Sequence, residues 1–173
     1  MTWGKLLEPN LVLPGTVLSL TPEILQQHHL GGLVLDVDET LVPVRSVEAS
    51  EALMPWISTI RQVAKLWLLS NNLSEARISR IARALDVPYI SGAAKPSRRH
   101  LRRVVAAMEL PVEQVAMVGD RLFTDVLAGN RLGLFTILVQ PMVDLNSTSR
   151  RSSLHNFEVW LSQALGASIF PHQ

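Results

Sequence analysis

The sequence predicts an α/β fold in which helices cover both faces of a mostly parallel sheet. Short apolar runs of strand length alternate along the chain with segments whose apolar residues recur at helical spacing. Three of the apolar runs end directly in polar or acidic residues. Strands separated by helices are joined by crossover connections, which set the strands parallel and bury both faces of the sheet.

The length and composition of the chain suit one globular domain. Its 173 residues can build a packed core, and 47% of them are apolar. No uninterrupted apolar run approaches the roughly 20 residues of a membrane-spanning helix, and the opening residues lack the layout of a secretory signal. We therefore expect a cytoplasmic protein and leave open a peripheral contact with a membrane.

Composition also excludes several classes of function. The chain has no cysteine, which excludes disulfides, thiolate metal sites and thiol nucleophiles. Its five histidines show no zinc-ligand spacing. The net charge of +1 gives no electrostatic reason to expect nucleic acid as a partner.

The single predicted domain consists of an N-terminal arm, residues 1–30, and an α/β domain, residues 31–173. Scattered Pro and Gly predict an irregular arm packed on the domain, with a short helix at residues 22–28. The α/β domain opens with an apolar run, residues 31–35, whose length and composition predict a strand. Further strands are predicted at residues 65–70, 88–91, 114–119 and 134–140.

Helices are predicted between these strands. Residues 74–85 predict one because four apolar residues recur at helical spacing, while Arg77 and two further arginines lie elsewhere on its surface. Further helices are predicted at residues 49–63, 97–109, 122–130 and 154–165, and residues 141–153 are predicted as a loop.

The polar ends of three predicted strands are candidates for a functional site. They are Asp36-Val37-Asp38, Ser70-Asn71-Asn72 and Gly119-Asp120. Because the carboxyl ends of parallel strands meet at one edge of a sheet, where α/β proteins bind ligands, we expect these residues to converge. Each motif by itself also fits a simpler interpretation, a polar loop or a helix cap after a strand.

These residue types suit phosphate and a hard cation. Asp36 and Asp120 together could bind Mg²⁺, which takes one or two carboxylates with waters and phosphate oxygens. Ser70 and the backbone N–H groups after it could hold phosphate oxygens. Lys95 carries a compact positive charge that suits both carboxylates and phosphate.

Four motifs resemble, in order and spacing, those of the haloacid dehalogenase-like (HAD) superfamily. They are Asp36-Val-Asp38-Glu39-Thr40, Ser70, Lys95, and Gly119-Asp120 through Asp125. The resemblance spans about residues 31–139 and implies a Rossmann-like HAD fold. Thr40 points to the phosphatases of the superfamily rather than to its dehalogenases. The gaps between the first three motifs are too short for a separate cap domain, so we expect an open site.

The resemblance also implies a role for each motif residue. Asp36 would be the nucleophile and a Mg²⁺ ligand. Asp38 would protonate the leaving alcohol and then activate water, with its backbone carbonyl on the metal. Asp120 would be the second carboxylate on Mg²⁺, and Asp125 would order metal-bound water or Lys95, which would steady the phosphoryl group. The expected substrate-binding set is Thr40, Ser70, Asn71, Lys95, Arg98 and Arg99.

A longer resemblance concerns the substrate. Residues 119–133, Thr136-Ile-Leu-Val and Leu41-Val-Pro resemble the class IIIA HAD subfamily that contains the phosphatidylglycerophosphate phosphatases. This implies a phosphate ester carried by a lipid. Four arginines on the helix predicted after Lys95 form a cationic face that would suit an anionic membrane; they are Arg98, Arg99, Arg102 and Arg103. Shallow membrane contact from Trp3, Leu6 and Leu7 would add to it.

Other interpretations stay open. The arginines also fit an ordinary solvated face, with the arm packed on the core. A capless phosphatase for soluble phosphomonoesters or phosphoproteins would share every catalytic residue. A non-catalytic binding module on the same scaffold is disfavoured, because Asp36, Asp38 and Asp120 are all present.

Overall fold

A computed structural model describes residues 3–43 and 51–142 of the chain. Its strands are β1 (Leu11–Val12), β2 (Gly32–Leu35), β3 (Lys65–Leu69), β4 (Tyr89–Ile90), β5 (Val115–Gly119) and β6 (Phe135–Leu138). Its α-helices are α1 (Trp3–Leu6), α2 (Pro22–Gln27), α3 (Leu53–Ile60), α4 (Glu75–Leu85), α5 (Arg99–Met108) and α6 (Leu127–Leu132). The helix predicted at residues 154–165 and most of the loop predicted at residues 141–153 lie outside the described residues.

The six strands form one sheet in the order β1-β6-β5-β2-β3-β4, and every pair of neighbours is parallel. β2 lies inside the sheet, with Gly32 opposite Lys65 of β3 on one side and Val115 of β5 on the other. The predicted parallel sheet is therefore confirmed. Between β2 and β3 the described residues hold α3, and between β3 and β4 they hold α4, so neither connection contains a cap domain.

Side chains of β2 alternate between two apolar cores on opposite faces of the sheet, as the pleat of a strand requires. Leu33 and Leu35 pack in one core with residues of α3 and α4. Val34 packs in the other core with Leu101 and Val104 of α5. Because both faces are covered, β2 is buried along its whole length, which explains its uninterrupted apolar sequence.

The N-terminal arm is more regular than its sequence predicts. Leu11 and Val12 form β1, which extends the sheet beside β6, and residues 17–19 form a turn of 3₁₀-helix. A strand of two residues is too short for a recognisable apolar pattern, so only the pairing with β6 reveals it. Leu7 is fully buried in an apolar cluster with Leu122 and Val126, which corrects the expectation that Leu7 contacts a membrane. Trp3 is 68% exposed.

Two helices differ from their predicted bounds by more than two residues. α3 begins at Leu53, four residues after its predicted start. The helix predicted after β5 opens with a π-helical turn, Leu122–Val126, before it continues as α6. Within the described residues, no helix is long and apolar enough to cross a membrane.

Candidate active site

The predicted site residues meet at the carboxyl edge of the sheet. Asp36 directly follows β2, where its backbone N–H still donates to Val118 O of β5 at 2.9 Å. Asp120 follows β5, and Ser70 follows β3. The strand ladder therefore fixes the backbones of all three residues at neighbouring positions along one edge, as expected from the sequence.

Three buried carboxylates form the centre of the site. Asp36, Asp120 and Asp125 each place one carboxylate oxygen so that all three oxygens lie within 4.8 Å of one another. Asp36 and Asp120 are each 7% exposed, and Asp125 is 1% exposed. Like charges this close, and this far from solvent, need a counter-charge.

Lys95 supplies one positive charge to this carboxylate cluster. Its Nζ donates hydrogen bonds to Asp36 Oδ1 at 2.5 Å and to Leu69 O at 2.8 Å. It also forms an ion pair with Asp125 Oδ1 at 2.7 Å, although that oxygen has no hydrogen-bond partner among the described residues. Burial lowers the pKa of Lys95, but Asp125 and Asp36 outweigh burial and raise the pKa above its usual value. Lys95 therefore stays charged.

Two of the three carboxyl groups, Asp36 and Asp120, hold their protons more strongly than usual. Burial raises the pKa of Asp36 to about 7 despite the opposing effect of Lys95. Burial, together with the charges of Asp125 and Asp36, raises the pKa of Asp120 to about 8. Near neutral pH the positive charge around the cluster is therefore too small for all of its carboxylates, and bound protons neutralise part of the negative charge.

The cluster fits a divalent cation. Three carboxylates paired with one ammonium group leave an excess of two negative charges when all are ionised. The Thr40 hydroxyl lies between two of the carboxylates, 3.3 Å from Asp36 Oδ2 and 3.4 Å from Asp120 Oδ1. The available donors are all oxygens, which suit hard cations rather than zinc or copper.

Gly119 makes room for the third carboxylate. A Cβ at this position would clash with the Asp125 side chain, because the two would be closer than van der Waals contact allows. The carboxylate instead accepts a hydrogen bond from the Arg121 backbone N–H at Oδ2, at 3.2 Å. The end of β5 and the first turn of the following helix therefore pack directly against each other.

Asp38 lies apart from the cluster. Its Oδ1 is 2.5 Å from Arg77 Nη1 of α4, and its Oδ2 accepts from Ser70 Oγ at 3.3 Å and from Asn72 Nδ2 at 3.2 Å. The prediction that Arg77 lies on the helix surface away from the core is wrong, because its side chain is only 11% exposed. Arg77 also donates to Pro43 O at 3.1 Å, which ties α4 to the loop after β2.

Two loops are held together beside the cluster. The Asn71 side chain donates to Lys95 O at 3.0 Å and accepts from Lys95 N at 2.6 Å. This reciprocal pair places the backbone of Lys95 so that its side chain can reach Asp36. Asn72 belongs to the site as well, because its side chain donates to Asp38 Oδ2. The sequence placed Asn72 at the polar end of β3 but gave it no role of its own.

Arg98 and Arg99, which were predicted to bind substrate, line a separate cavity. This open cavity of about 650 Å³ lies where α5 begins and α6 ends. Its lining residues are Ser97, Arg98, Arg99, Arg102 and Arg131. We call it the arginine cavity. Arg103 is exposed and is not among its lining residues.

Comparison with known proteins finds similarity to a hydrolase family and to phosphatases. The profile of the HAD-hydrolase-like family matches residues 92–150. The chain is 37% identical over 127 residues to the probable phosphatase YqeG of Bacillus subtilis, and the match covers 73% of each chain. It is 31% identical over 120 residues to the chloroplastic phosphatidylglycerophosphate phosphatase 1 of Chlamydomonas reinhardtii. That second match covers 64% of this chain and 45% of the algal one, so the chain spans less than half of that relative.

Solved structures show the same fold at low identity. A predicted HAD-like family hydrolase from Porphyromonas gingivalis superposes with a TM-score of 0.53 at 14% identity. The match covers 73% of this chain and 98% of that one. At this identity the likeness concerns the fold alone.

Proposed function

Because the chain belongs to the HAD-like hydrolases and is one of their phosphatases, we propose that it hydrolyses phosphomonoesters through an acyl phosphate on Asp36, with Mg²⁺ as cofactor. The observation that carries this proposal is the position of Asp36. It directly follows the inner strand β2 and is buried in a cluster with too little positive charge. A carboxylate nucleophile divides one difficult displacement into two easier ones.

In both steps of the proposed reaction, Asp36 forms or loses the bond to phosphorus and Asp38 transfers the proton. The Asp36 carboxylate attacks phosphorus, the ester P–O bond breaks, and Asp38 gives its proton to the departing alcohol oxygen. Asp38 then takes a proton from the water that attacks the aspartyl phosphate, which releases inorganic phosphate and restores Asp36. Arg77, Ser70 and Asn72 occupy both Asp38 oxygens, so the proton transfers require Asp38 to leave at least one of these partners.

The remaining site residues provide charge and alignment. Asp36, Asp120 and Asp125 would hold Mg²⁺ with the backbone carbonyl of Asp38. When bound, Mg²⁺ supplies positive charge to the phosphate oxygens as negative charge develops there. Lys95 supplies fixed positive charge beside Asp36. Thr40, Ser70 and Asn71 would align the phosphoryl group at the carboxyl edge of the sheet.

We propose phosphatidylglycerophosphate as the substrate. The name of the algal relative supports a lipid phosphomonoester. The absence of a cap between β2 and β3 and between β3 and β4, in the described part of the chain, supports a substrate presented at a surface. A lipid substrate requires the chain to reach the surface of a bilayer, where anionic lipids attract cationic side chains.

The test of the nucleophile is Asp36→Asn, with Asp86→Asn as the matched control. Asp86 ends α4 and its side chain is 93% exposed. Phosphate release is measured with Mg²⁺ on vesicles that contain phosphatidylglycerophosphate and on soluble sugar and nucleotide phosphates. We expect Asp36→Asn to abolish release while its circular dichroism is retained, and Asp86→Asn to remain active.

The two parts of the proposal fail separately. Near-normal phosphate release from Asp36→Asn would refute the nucleophile. Release from soluble esters but not from vesicles would refute the lipid substrate and leave the chemistry in place.

A further inference from the structure

The arginine cavity brings together four guanidinium groups from two helices. Arg98, Arg99 and Arg102 come from α5 and the residue before it, and Arg131 comes from the end of α6. No residue of the carboxylate cluster lines this cavity. It is therefore a different place from the proposed catalytic centre.

Hydrogen bonds to the backbone fix two of these side chains. Arg98 Nη1 donates to Arg131 O at 2.9 Å, and Arg131 Nη1 donates to Pro96 O at 3.1 Å. The two bonds cross between the helix ends in opposite directions. A guanidinium group has five N–H donors, so each of these two arginines has donors left for a ligand.

The cavity contains no compensating negative charge. Its lining residues are four arginines and one serine, and none of the ion pairs within residues 3–43 and 51–142 involves those arginines. Elsewhere in the described chain, Arg61 pairs with Asp86 at 3.3 Å and Arg77 pairs with Asp38. Four guanidinium groups without an ion-pair partner among the described residues therefore share this one cavity.

The stability of the fold does not explain this arrangement. Like charges that share a small space repel one another. The first turn of α5 has no acidic residue, and the helix dipole disfavours cations near a helix N-terminus. An anionic ligand would remove both penalties.

We propose that the arginine cavity binds a phosphate group other than the phosphoryl group that reacts at Asp36. Guanidinium groups form paired, charge-assisted hydrogen bonds with phosphate oxygens. The ligand chemistry is thus a phosphate oxyanion, carried by the headgroup of an anionic phospholipid or by free phosphate. This binding site goes beyond the proposed function and does not depend on the reaction at Asp36.

The test compares Arg102→Gln with Arg103→Gln. Both residues are exposed on α5 and adjacent in sequence, but only Arg102 lines the cavity. In the first assay, binding to phosphatidylcholine vesicles with and without phosphatidylglycerol is measured by co-sedimentation. In the second assay, binding of inorganic phosphate is measured by calorimetry at constant ionic strength. Divalent metal is left out, because the metal-free carboxylate cluster repels anions. Thermal denaturation checks that both variants fold.

We expect Arg102→Gln to weaken binding of at least one probe about fivefold, equivalent to about 1 kcal/mol per cation, and Arg103→Gln to change it much less. Loss of vesicle binding identifies a lipid headgroup as the source, and loss of inorganic phosphate binding alone identifies free phosphate. Absence of binding by the unaltered chain to both probes overturns the proposal. So does equal weakening by the two variants, which would mean a diffuse cationic surface. Turnover of a soluble phosphomonoester with Mg²⁺ by the unaltered chain is measured separately, so failure of the catalytic proposal is recognised independently.

Discussion

Replacement of Lys95 by Met would remove a positive charge that contacts two buried carboxylates. Methionine has a similar length but no charge and no N–H donor. Asp36 and Asp125 would lose ion pairs of 2.5 and 2.7 Å, and Leu69 O would lose its 2.8 Å hydrogen bond. The metal-free fold would then keep three neighbouring buried carboxylates without the ammonium group that pairs with two of them.

The expected loss in the free energy of unfolding is about 3–5 kcal/mol at mildly alkaline pH, the usual effect of removing one partner from a buried ion pair. Protonation limits this loss, because a carboxyl that takes up a proton no longer needs a cation. Lys95 lowers the pKa of Asp36, so its removal raises that pKa further above about 7. At about pH 5 Asp36 is protonated in the folded state, so the loss should be much smaller.

Lys65→Met is the matched control. Lys65 is exposed on β3 and donates one hydrogen bond, to Met108 O at 2.7 Å, so its replacement should cost no more than about 1.5 kcal/mol. Urea unfolding is monitored by tryptophan fluorescence for both variants and the unaltered chain, without divalent metal, at about pH 5 and about pH 8. It gives the loss in the free energy of unfolding for each variant. An equal loss for Lys95→Met at both pH values, or an equal loss for the two variants, would refute the electrostatic account of the cluster.

Three further predictions concern the same edge of the sheet. Arg77→Met should slow hydrolysis of alkyl phosphates at least tenfold more than hydrolysis of p-nitrophenyl phosphate, because only the poor alkoxide leaving group needs a well-placed Asp38 proton; equal slowing would show a merely structural role for Arg77. Gly119→Ala should displace Asp125 and reduce turnover on the order of a hundredfold, as misplacement by about 1 Å can do; a turnover assay and a thermal melt check it, and unchanged turnover would contradict it. In the metal-free chain, the two carboxyls with raised pKa values, about 7 and about 8, stabilise the fold below their usual pKa, and this contribution is lost as pH rises through those values. Mg²⁺ binding should accordingly strengthen as pH rises through the same range and release protons, which calorimetry in buffers of different ionisation enthalpy counts; binding without proton release would contradict the site.

The sequence predicted most of the carboxylate cluster because a local rule connects sequence to position. An apolar run that ends in polar residues places them at the carboxyl edge of a parallel sheet, whatever the rest of the fold does. Asp36, Ser70 and Asp120 each follow such a run, and the structure brings them to neighbouring positions. The parallel sheet itself followed from the alternation of strands and helices.

Arg77 shows where that reasoning ends. Its place on α4, off the apolar face, predicted an exposed side chain. A helical pattern distinguishes the buried face from the others but does not show which neighbour lies beside the helix end. Only the packing of α4 against the loop after β2 brings Arg77 to Asp38.

Patterns within a few neighbouring positions are enough to predict the sheet, the edge that carries the polar residues and the kind of chemistry those residues support. Which charges meet depends on the packing of the whole fold. Lys95 with Asp36 and Asp125, Arg77 with Asp38, and Arg131 with the start of α5 are contacts between segments far apart in the chain. Their geometry depends on how helices pack on the sheet, and that packing depends on the shapes of many side chains at once.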